Sequence, residues 1–531
     1  MTSTFQPLAA LLAQAISELN LSLRVASPGS RNAPLIEAFS ALIGEEIVVL
    51  DERAAAHIAL GAAMRTMRPA VAYCTSGTAG MNYGPAVAEA FYQRIPLLLI
   101  TADRPKHLID QGHGQSIRQE QLFTSHLRGH ANLDPSLPLE ENTQMLREAL
   151  LGLNDGPVHV NVPFEEPLYG QPSLPADFLP PLLPSLPSQD LELILPEWLK
   201  EAHRPLLIVG QWNPAWGSTR RMVEQLRSKG WLIGAEHLSN LPASLALNLE
   251  DAWVHAPAAR VDAVVTIGGA WIAKESKKRL VGTPHWHIGP SEPHPNLFGS
   301  LREFVEMKSY EGLKSLADIS PKFEPSWARI WTQQRAYPCK QWSDLWAHEF
   351  IAQDAPEGMD VHWANSTAVR YGLHTWSHGG WSGDFQHYAN RGASGIDGCS
   401  ATAVGSALRS DRPTLLMTGE LAFFYDANGL LHDALPPHFK IIIFNNSGGN
   451  IFQWIDGPKV SSRLDSHYRW THARSSAHLA AHLGVSYRSV SQPEDMPDAC
   501  TWLWSQAEAS IIEIFTDPDL SEQSWKLRFQ P

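Results

Sequence analysis

The hydropathy pattern of this chain alternates short unbroken apolar runs with longer stretches in which apolar residues recur three and four positions apart. The clearest instance lies between Arg412 and Phe452. There Thr414 to Met417, closed by Gly419, reads as a buried parallel strand, Tyr425 to Leu435 has helical spacing, and Lys440 to Phe444 reads as a second buried strand. A right-handed βαβ crossover brings the carboxyl ends of both strands to one sheet edge. Glu420 and Asn445-Asn446 are therefore expected to face one crevice, where open α/β sheets bind ligands. A carboxylate, a side-chain amide and the carbonyls of Ser447-Gly448-Gly449 make an incomplete oxygen shell of the kind Mg²⁺ accepts when phosphates complete it. The same residues also suit a helix-start acid and a turn, and this stretch alone does not choose.

The alternation continues along the chain. The first block predicts a helix over Pro7 to Leu19, strands over Ser22 to Ala26, Ile47 to Leu50, Ala70 to Cys74 and Pro96 to Thr101, helices over Ala54 to Met67 and Pro85 to Tyr92, and a closing strand over Val158 to Val162. This is doubly wound α/β patterning. Pro172, Pro175, Pro180, Pro181, Pro184 and Pro187 then disfavour both helix and sheet and mark a linker. A smaller middle block has strands over Pro205 to Val209, Ala263 to Ile267 and His285 to Ile288 and a helix over Arg220 to Lys229; a third ends on a strand over Ser510 to Phe515. His285 and His287 share a strand face, but with no third ligand in view a structural role is expected.

At 531 residues with 44% apolar positions, the chain has material for several cores. Its formal charge of −14 and lack of a basic run argue against a nucleic-acid partner. Four scattered cysteines, Cys74, Cys339, Cys399 and Cys500, have no metal-ligand or redox spacing, which fits a reducing compartment. With no basic leader and no membrane-length apolar run, a cytoplasmic protein with no membrane partner is expected. Neither a Gly-x-Gly-x-x-Gly turn nor a Walker-type loop is present, so the usual nucleotide phosphate devices are missing.

Two groups of residues carry candidate chemistry. Glu52, in VVLDERAAAHIALG, sits where a strand meets a helix, so a partly buried carboxylate there can exchange a proton near neutral pH; a helix-start acid beside Arg53 is the plainer role. His57 is expected to pack on the helix face. Arg31, Arg104, Arg118, Arg370 and Arg391 lie in or near loops of small and polar residues. As a set in an acidic protein they suit a substrate with several carboxylates, each read by a bidentate fork.

SPGSRNAPL, DERAAAHIALG, TSGTA, TADRP, GQSIRQ, PFEEPLYG, ANRGASGIDG and NNSGGNIF occur in that order. Together they resemble the 2-succinyl-5-enolpyruvyl-6-hydroxy-3-cyclohexene-1-carboxylate synthases, thiamine-diphosphate enzymes of menaquinone biosynthesis. The resemblance spans the first and third blocks and is weak in the middle. It implies a three-domain α/β fold of doubly wound parallel sheets: a pyrimidine-binding domain (1–180), a central domain (190–335) and a diphosphate-binding domain (342–531). It also implies a homodimer, with tetramers open, in which two chains share each site. The implied reaction is decarboxylation of 2-oxoglutarate and 1,4-addition of the succinyl unit to isochorismate.

Carried over by motif, Glu52 would hydrogen-bond the aminopyrimidine of thiamine diphosphate and promote its imino form. Ile396 would keep the cofactor bent, with Gly419, Ile451 and Phe452 beside it. Glu420, Asn446 and a carbonyl at Gly448 would hold Mg²⁺, or Mn²⁺. Ser30, Arg31 and Gln115 would join Glu52 in the catalytic set. Substrate contacts would come from Ser30, Arg31, Arg104, Gln115, Lys274, Asn365, Ser366, Arg370 and Arg391. The chain departs from the family at Glu420, where Asp is usual, at Glu275, where a base is usual so that Lys277 or Lys278 would have to substitute, and at Gly114, where Asn is common. An acetolactate-type 2-oxoacid decarboxylase, or a non-catalytic relative whose metal site has decayed through Glu420, are the other readings.

Overall fold

Three parallel sheets organise the computed structural model, which describes residues 6–170, 192–290, 295–331 and 338–528. The proline-rich linker expected after residue 170 lies outside the described residues, apart from its flanks. The first sheet comprises β1 (Arg24–Ala26), β2 (Glu46–Val48), β3 (Ala70–Cys74), β4 (Leu97–Asp103), β5 (Gly129–Asn132) and β6 (Val158–Pro163), in the order β2-β1-β3-β4-β6-β5. The second comprises β7 (Pro205–Val209), β8 (Leu232–Ala235), β9 (Ala263–Ile267), β10 (His285–Gly289) and β11 (Leu301–Glu306), in the order β11-β10-β9-β7-β8. The third comprises β12 (Asp360–Trp363), β13 (Gln386–Ala389), β14 (Thr414–Gly419), β15 (Phe439–Asn445), β16 (Ser486–Val490) and β17 (Ser510–Phe515), in the order β13-β12-β14-β15-β17-β16. Counted from its own first strand, the third sheet repeats the order of the first.

Central strands form where apolar residues run without interruption, because helices cover both faces of a parallel sheet. Every residue of β4 (LLLITAD) and of β15 (FKIIIFN) is buried. Lys440 fits inside β15 because its ammonium reaches the carbonyls of Gln506 and Glu508 at 2.9 and 2.6 Å. In the first and third sheets the strand order reverses beside the earliest strand, which puts the switch-point crevices at the ends of β1 and β3 and of β12 and β14.

The chain divides into two compact units. One holds the described residues up to 170 with Gly392–Asp411 and Ala422–Phe439, and the other holds the second sheet and most of the third. In the first unit, helix Cys399–Ala407 lies on helix Glu52–Thr66, whose residues from Ala54 to Met64 are all buried. Two glycines permit the crossing. A Cβ on Gly61 would stand 1.9 Å from the Thr402 carbonyl, and one on Gly405 would stand 1.9 Å from that of Ile58. His57 is buried in this crossing with Nδ1 2.9 Å from the Arg53 carbonyl, the packing role expected of it.

One element differs from expectation. The helix placed over Tyr425 to Leu435 instead runs Glu420–Asp426, and a 3₁₀ turn covers Ala427–Leu430. Gly429 lies so close to the Ala401 backbone that a Cβ would come within 2.7 Å of it, and Pro436-Pro437 rule out a helical continuation. His285 and His287 both bond Thr266 Oγ1 at 2.7 Å, and burial pushes His285 down to about 4. Their role is structural. No helix among the described residues is long and apolar enough to cross a membrane.

Candidate active site

In the first unit, the loops after β1 and β3 meet at the switch point. Gly29 makes the contact possible, since a Cβ there would fall 2.4 Å from that of Thr75. Asn32 closes its own loop by donating to the Ser27 carbonyl at 2.9 Å, and the Arg31 amide donates to Thr75 Oγ1 at 3.3 Å. Ser30 is exposed at the tip. Arg31 is buried, donating to the Phe164 carbonyl at 2.9 Å and pairing with Glu166 at 3.3 Å. Arg104, at the end of β4, donates to the Gly114 carbonyl at 3.0 Å, so the backbone of Gly114 supplies a contact despite its missing side chain. Burial and the neighbouring Arg104 both lower the proton affinity of Arg31. The Nε–H of each arginine is buried with no partner among the described residues.

Gln115, at φ +54°, joins this group: Ser76 Oγ donates to its carbonyl at 2.9 Å. Behind it runs a buried polar chain. Gly77 donates to Gln119 Oε1 at 2.7 Å, Gln119 donates to Asn161 Oδ1 at 2.9 Å, and Asn161 donates to Asp103 Oδ2 at 2.9 Å. Asp103 receives the Arg104 amide on its other oxygen at 2.7 Å, so both loops are fixed to the end of β4. Arg118 stands apart in an exposed ion pair with Asp110 at 2.8 Å. Glu52 opens its helix behind the N-cap Asp51 and accepts from Asn82 Nδ2 at 3.3 Å. Ile396 is half-buried just beyond a pinned segment, in which Glu89 accepts the amides of Gly392, Ala393 and Ser394 at 2.6, 2.7 and 3.3 Å.

The second unit gathers the remaining residues. Arg391 donates to Asn365 Oδ1 at 2.8 Å, Asn365 donates to the Asn390 carbonyl at 2.7 Å, and Arg370 donates to the Ser366 carbonyl. Burial, then Arg391, lowers the proton affinity of Arg370. Lys274 and Arg370 border a cavity of about 170 Å³ together with Ile272 and Ile451. Phe452 lies instead beside Tyr468, ring centres 5.8 Å apart. Glu275 turns away to pair with Arg279 at 2.8 Å. Lys277 donates to the Trp271 carbonyl at 2.6 Å in the field of Arg391, Arg370 and Lys274, whereas Lys278 is exposed. Facing these cations, buried Glu236 accepts the amides of Ile272 and Ala273 at 2.6 to 2.9 Å, and burial pushes it up to about 7.

At the ends of β14 and β15, Glu420 and Asn446 converge as the crossover predicts. Glu420 Oε1 accepts the Gly448 amide at 2.7 Å and lies 3.4 Å from His472 Nε2; burial raises its proton affinity. Asn446 Nδ2 donates to Asp344 Oδ2 at 2.7 Å, while its Oδ1 is buried with no partner among the described residues. The Gly448 carbonyl accepts from Asn450 at 2.9 Å and keeps a second lone pair. Gly419 is open, a Cβ there meeting nothing within 4 Å. Carboxylate, amide oxygen and carbonyl form a set of hard donors able to hold a small cation. Asp344, Glu89 and Glu236 carry no motif. The one signal for Glu89 is an acid inside the apolar face of GPAVAEAFYQ.

Comparison with known proteins gives this architecture its class. Residues 7–122 match the family described as "Thiamine pyrophosphate enzyme, N-terminal TPP binding domain", so the chain is a thiamine diphosphate enzyme. It is 31% identical to the 2-succinyl-5-enolpyruvyl-6-hydroxy-3-cyclohexene-1-carboxylate synthase of Flavobacterium psychrophilum, over 96% of this chain and 97% of that one. It is 33% identical to the synthase of Desulfotalea psychrophila (93% and 95%) and 32% identical to that of Bacteroides thetaiotaomicron (94% and 91%). The chain belongs to the 2-succinyl-5-enolpyruvyl-6-hydroxy-3-cyclohexene-1-carboxylate synthase family.

Proposed function

We propose that the chain takes 2-oxoglutarate and isochorismate as substrates, releasing CO₂ and joining the four-carbon remainder to the isochorismate ring with its enolpyruvyl group retained. The observation that carries this reading is the arginine arrangement. Arg31 is lowered in proton affinity by burial and by the neighbouring Arg104, each of the two keeps a buried Nε–H with no partner among the described residues, and in the second group burial, then Arg391, lowers the proton affinity of Arg370. Two dicarboxylate substrates supply the anions that such groups need. Lys274 and Lys277 add to the second group, Lys277 standing in for the base that Glu275 replaces. A monocarboxylate such as pyruvate needs fewer cations.

When bound, thiamine diphosphate supplies the electron sink for decarboxylation and carbon–carbon bond formation. Glu52 would hold its aminopyrimidine and exchange a proton there, with Ile396, Gly419, Ile451 and Phe452 packed around it. Its diphosphate would be held through Mg²⁺, with Mn²⁺ able to substitute, by Glu420, Asn446 and the Gly448 carbonyl. The buried, unpartnered Asn446 Oδ1 supports that fit. Ser30 and Gln115 would orient substrate beside the arginine pair, as Asn365 and Ser366 would in the second group. We further propose three domains at 1–180, 190–335 and 342–531, a cytoplasmic location, and a homodimer in which the first domain of one chain faces the third of its partner.

The test is direct. Protein given both substrates, thiamine diphosphate and Mg²⁺ should consume isochorismate and release CO₂ in equal amounts. Loss of neither substrate at saturating cofactor, or faster turnover of pyruvate than of 2-oxoglutarate, overturns the reading. Light scattering on the eluting protein reports the oligomer.

A further inference from the structure

One side-chain group of the second unit has the composition of a transition-metal site and no part in the chemistry above. Asp251, His374 and His378 each offer a ligand atom, and these atoms lie within 4.8 Å of one another. His374 and His378 are one helical turn apart at the end of helix Ala368–Ser377, which sets both rings on one face, centres 4.2 Å apart. Asp251 comes from the first turn of helix Leu249–His255.

The surroundings fix these groups in ligand form. His378 Nδ1 lies 2.7 Å from the His374 carbonyl, and an Nδ1–H donated there leaves Nε2 with its lone pair, 3.7 Å from Asp251 Oδ2. Asn248 and Ser377 hold that carboxylate, donating to Oδ2 at 2.7 and 3.0 Å. His374 has Glu349 behind it at 3.5 Å, the carboxylate-backed imidazole common at metal centres.

We propose that Asp251, His374 and His378 bind a divalent transition ion such as Zn²⁺, separate from the Mg²⁺ proposed at Glu420. Two imidazoles and one carboxylate suit this class of ion, whereas Mg²⁺ prefers oxygen donors. Zinc bonds of about 2.0–2.2 Å require the three side chains to draw together by roughly 1 Å. Asp251 and His374 both line the cavity that Arg370 borders. The ion would also tie the helix carrying Arg370 to helix Leu249–His255. Arg528 opposes it: this guanidinium acts on Asp251 and on both imidazoles, so the ion must share Asp251 with a fixed cation.

The experiment titrates the full chain, loaded with thiamine diphosphate and excess Mg²⁺ to keep the Glu420 site filled, with Zn²⁺ or Co²⁺. Equilibrium dialysis should give one ion per chain, and Co²⁺ should show the d–d absorption of a nitrogen-ligated site. His378→Ala should weaken Zn²⁺ binding by more than about tenfold, while Arg528→Gln should tighten it. Retained Mg²⁺-dependent cofactor binding checks the fold, and His378→Gln replaces His378→Ala if the latter fails that check. No stoichiometric ion in the parent, binding undiminished in His378→Gln and Asp251→Asn, or no tightening in Arg528→Gln overturns the assignment.

Discussion

Asp344 accepts the side-chain N–H of Asn446 at 2.7 Å and thereby decides which way that amide points. Its oxygen is left buried at the edge where Glu420 also ends. A residue about a hundred positions away in sequence thus orients the oxygen that we propose as a cation ligand. Asp344→Ala should weaken Mg²⁺-dependent thiamine diphosphate binding by about ten- to hundredfold, the usual cost of losing a residue behind a ligand. Titration calorimetry with and without Mg²⁺ reads this, and an unchanged affinity would remove Asp344 from the role.

Glu420 tests the same edge from the other side. Glu420→Asp keeps an acid at this position, one methylene shorter, but gives up the reach to the Gly448 amide. It should still bind cofactor in a Mg²⁺-dependent way, whereas Glu420→Gln should lose that dependence. Equal metal dependence in Glu420→Gln and parent would contradict the ligand set.

Glu52→Gln keeps the shape of the helix start and removes the exchangeable carboxyl. Turnover should fall by about 10²- to 10⁴-fold, the span of a lost general acid or base, with little change in cofactor affinity. Near-normal turnover would exclude Glu52 from proton exchange.

Glu236 gives a pH signature. Burial pushes it from 4.5 up to about 7, so folding favours its protonated form. A raised acid contributes stability that is complete below its unfolded value and is lost as pH rises through the folded one. The stability of the parent relative to Glu236→Gln should therefore fall between about pH 4.5 and pH 7 and level off above. Thermal midpoints across that range measure it, and parallel curves would show that Glu236 does not titrate there.

Gly405→Ala places a methyl group 1.9 Å from the Ile58 carbonyl. Separating helices Glu52–Thr66 and Cys399–Ala407 to accept it should cost about 1–3 kcal/mol, as overpacking does, and Gly61→Ala should behave alike. Urea denaturation midpoints report the loss; a midpoint equal to that of the parent would mean that the crossing is loose.

Much of this was legible in the residues. Pro205–Val209, Ala263–Ile267, Ala70–Cys74 and Ser510–Phe515 are strands with the ends that their apolar runs predict. The meeting of Glu420 and Asn446 followed from crossover geometry, because strand ends define a sheet edge. Other features were not legible. The helix expected over Tyr425 to Leu435 failed because helical spacing of apolar residues does not reveal that Gly429 presses on Ala401. Asp344, Glu89 and Glu236 act on partners far away in sequence through burial and hydrogen bonds, and local pattern carries neither. Short edge strands such as Ser486–Val490 are half polar and look like loops.

The crossing of helix Glu52–Thr66 by helix Cys399–Ala407 also sets a timetable. On the ribosome, the alanine-rich side of the earlier helix emerges long before the segment that covers it has been made. The first sheet can pair as soon as β6 is out, but its unit stays unfinished until residues beyond 407 follow. A fragment stopped near residue 187 would thus expose an apolar helix face, and a nascent chain of that length would be a natural client for a chaperone.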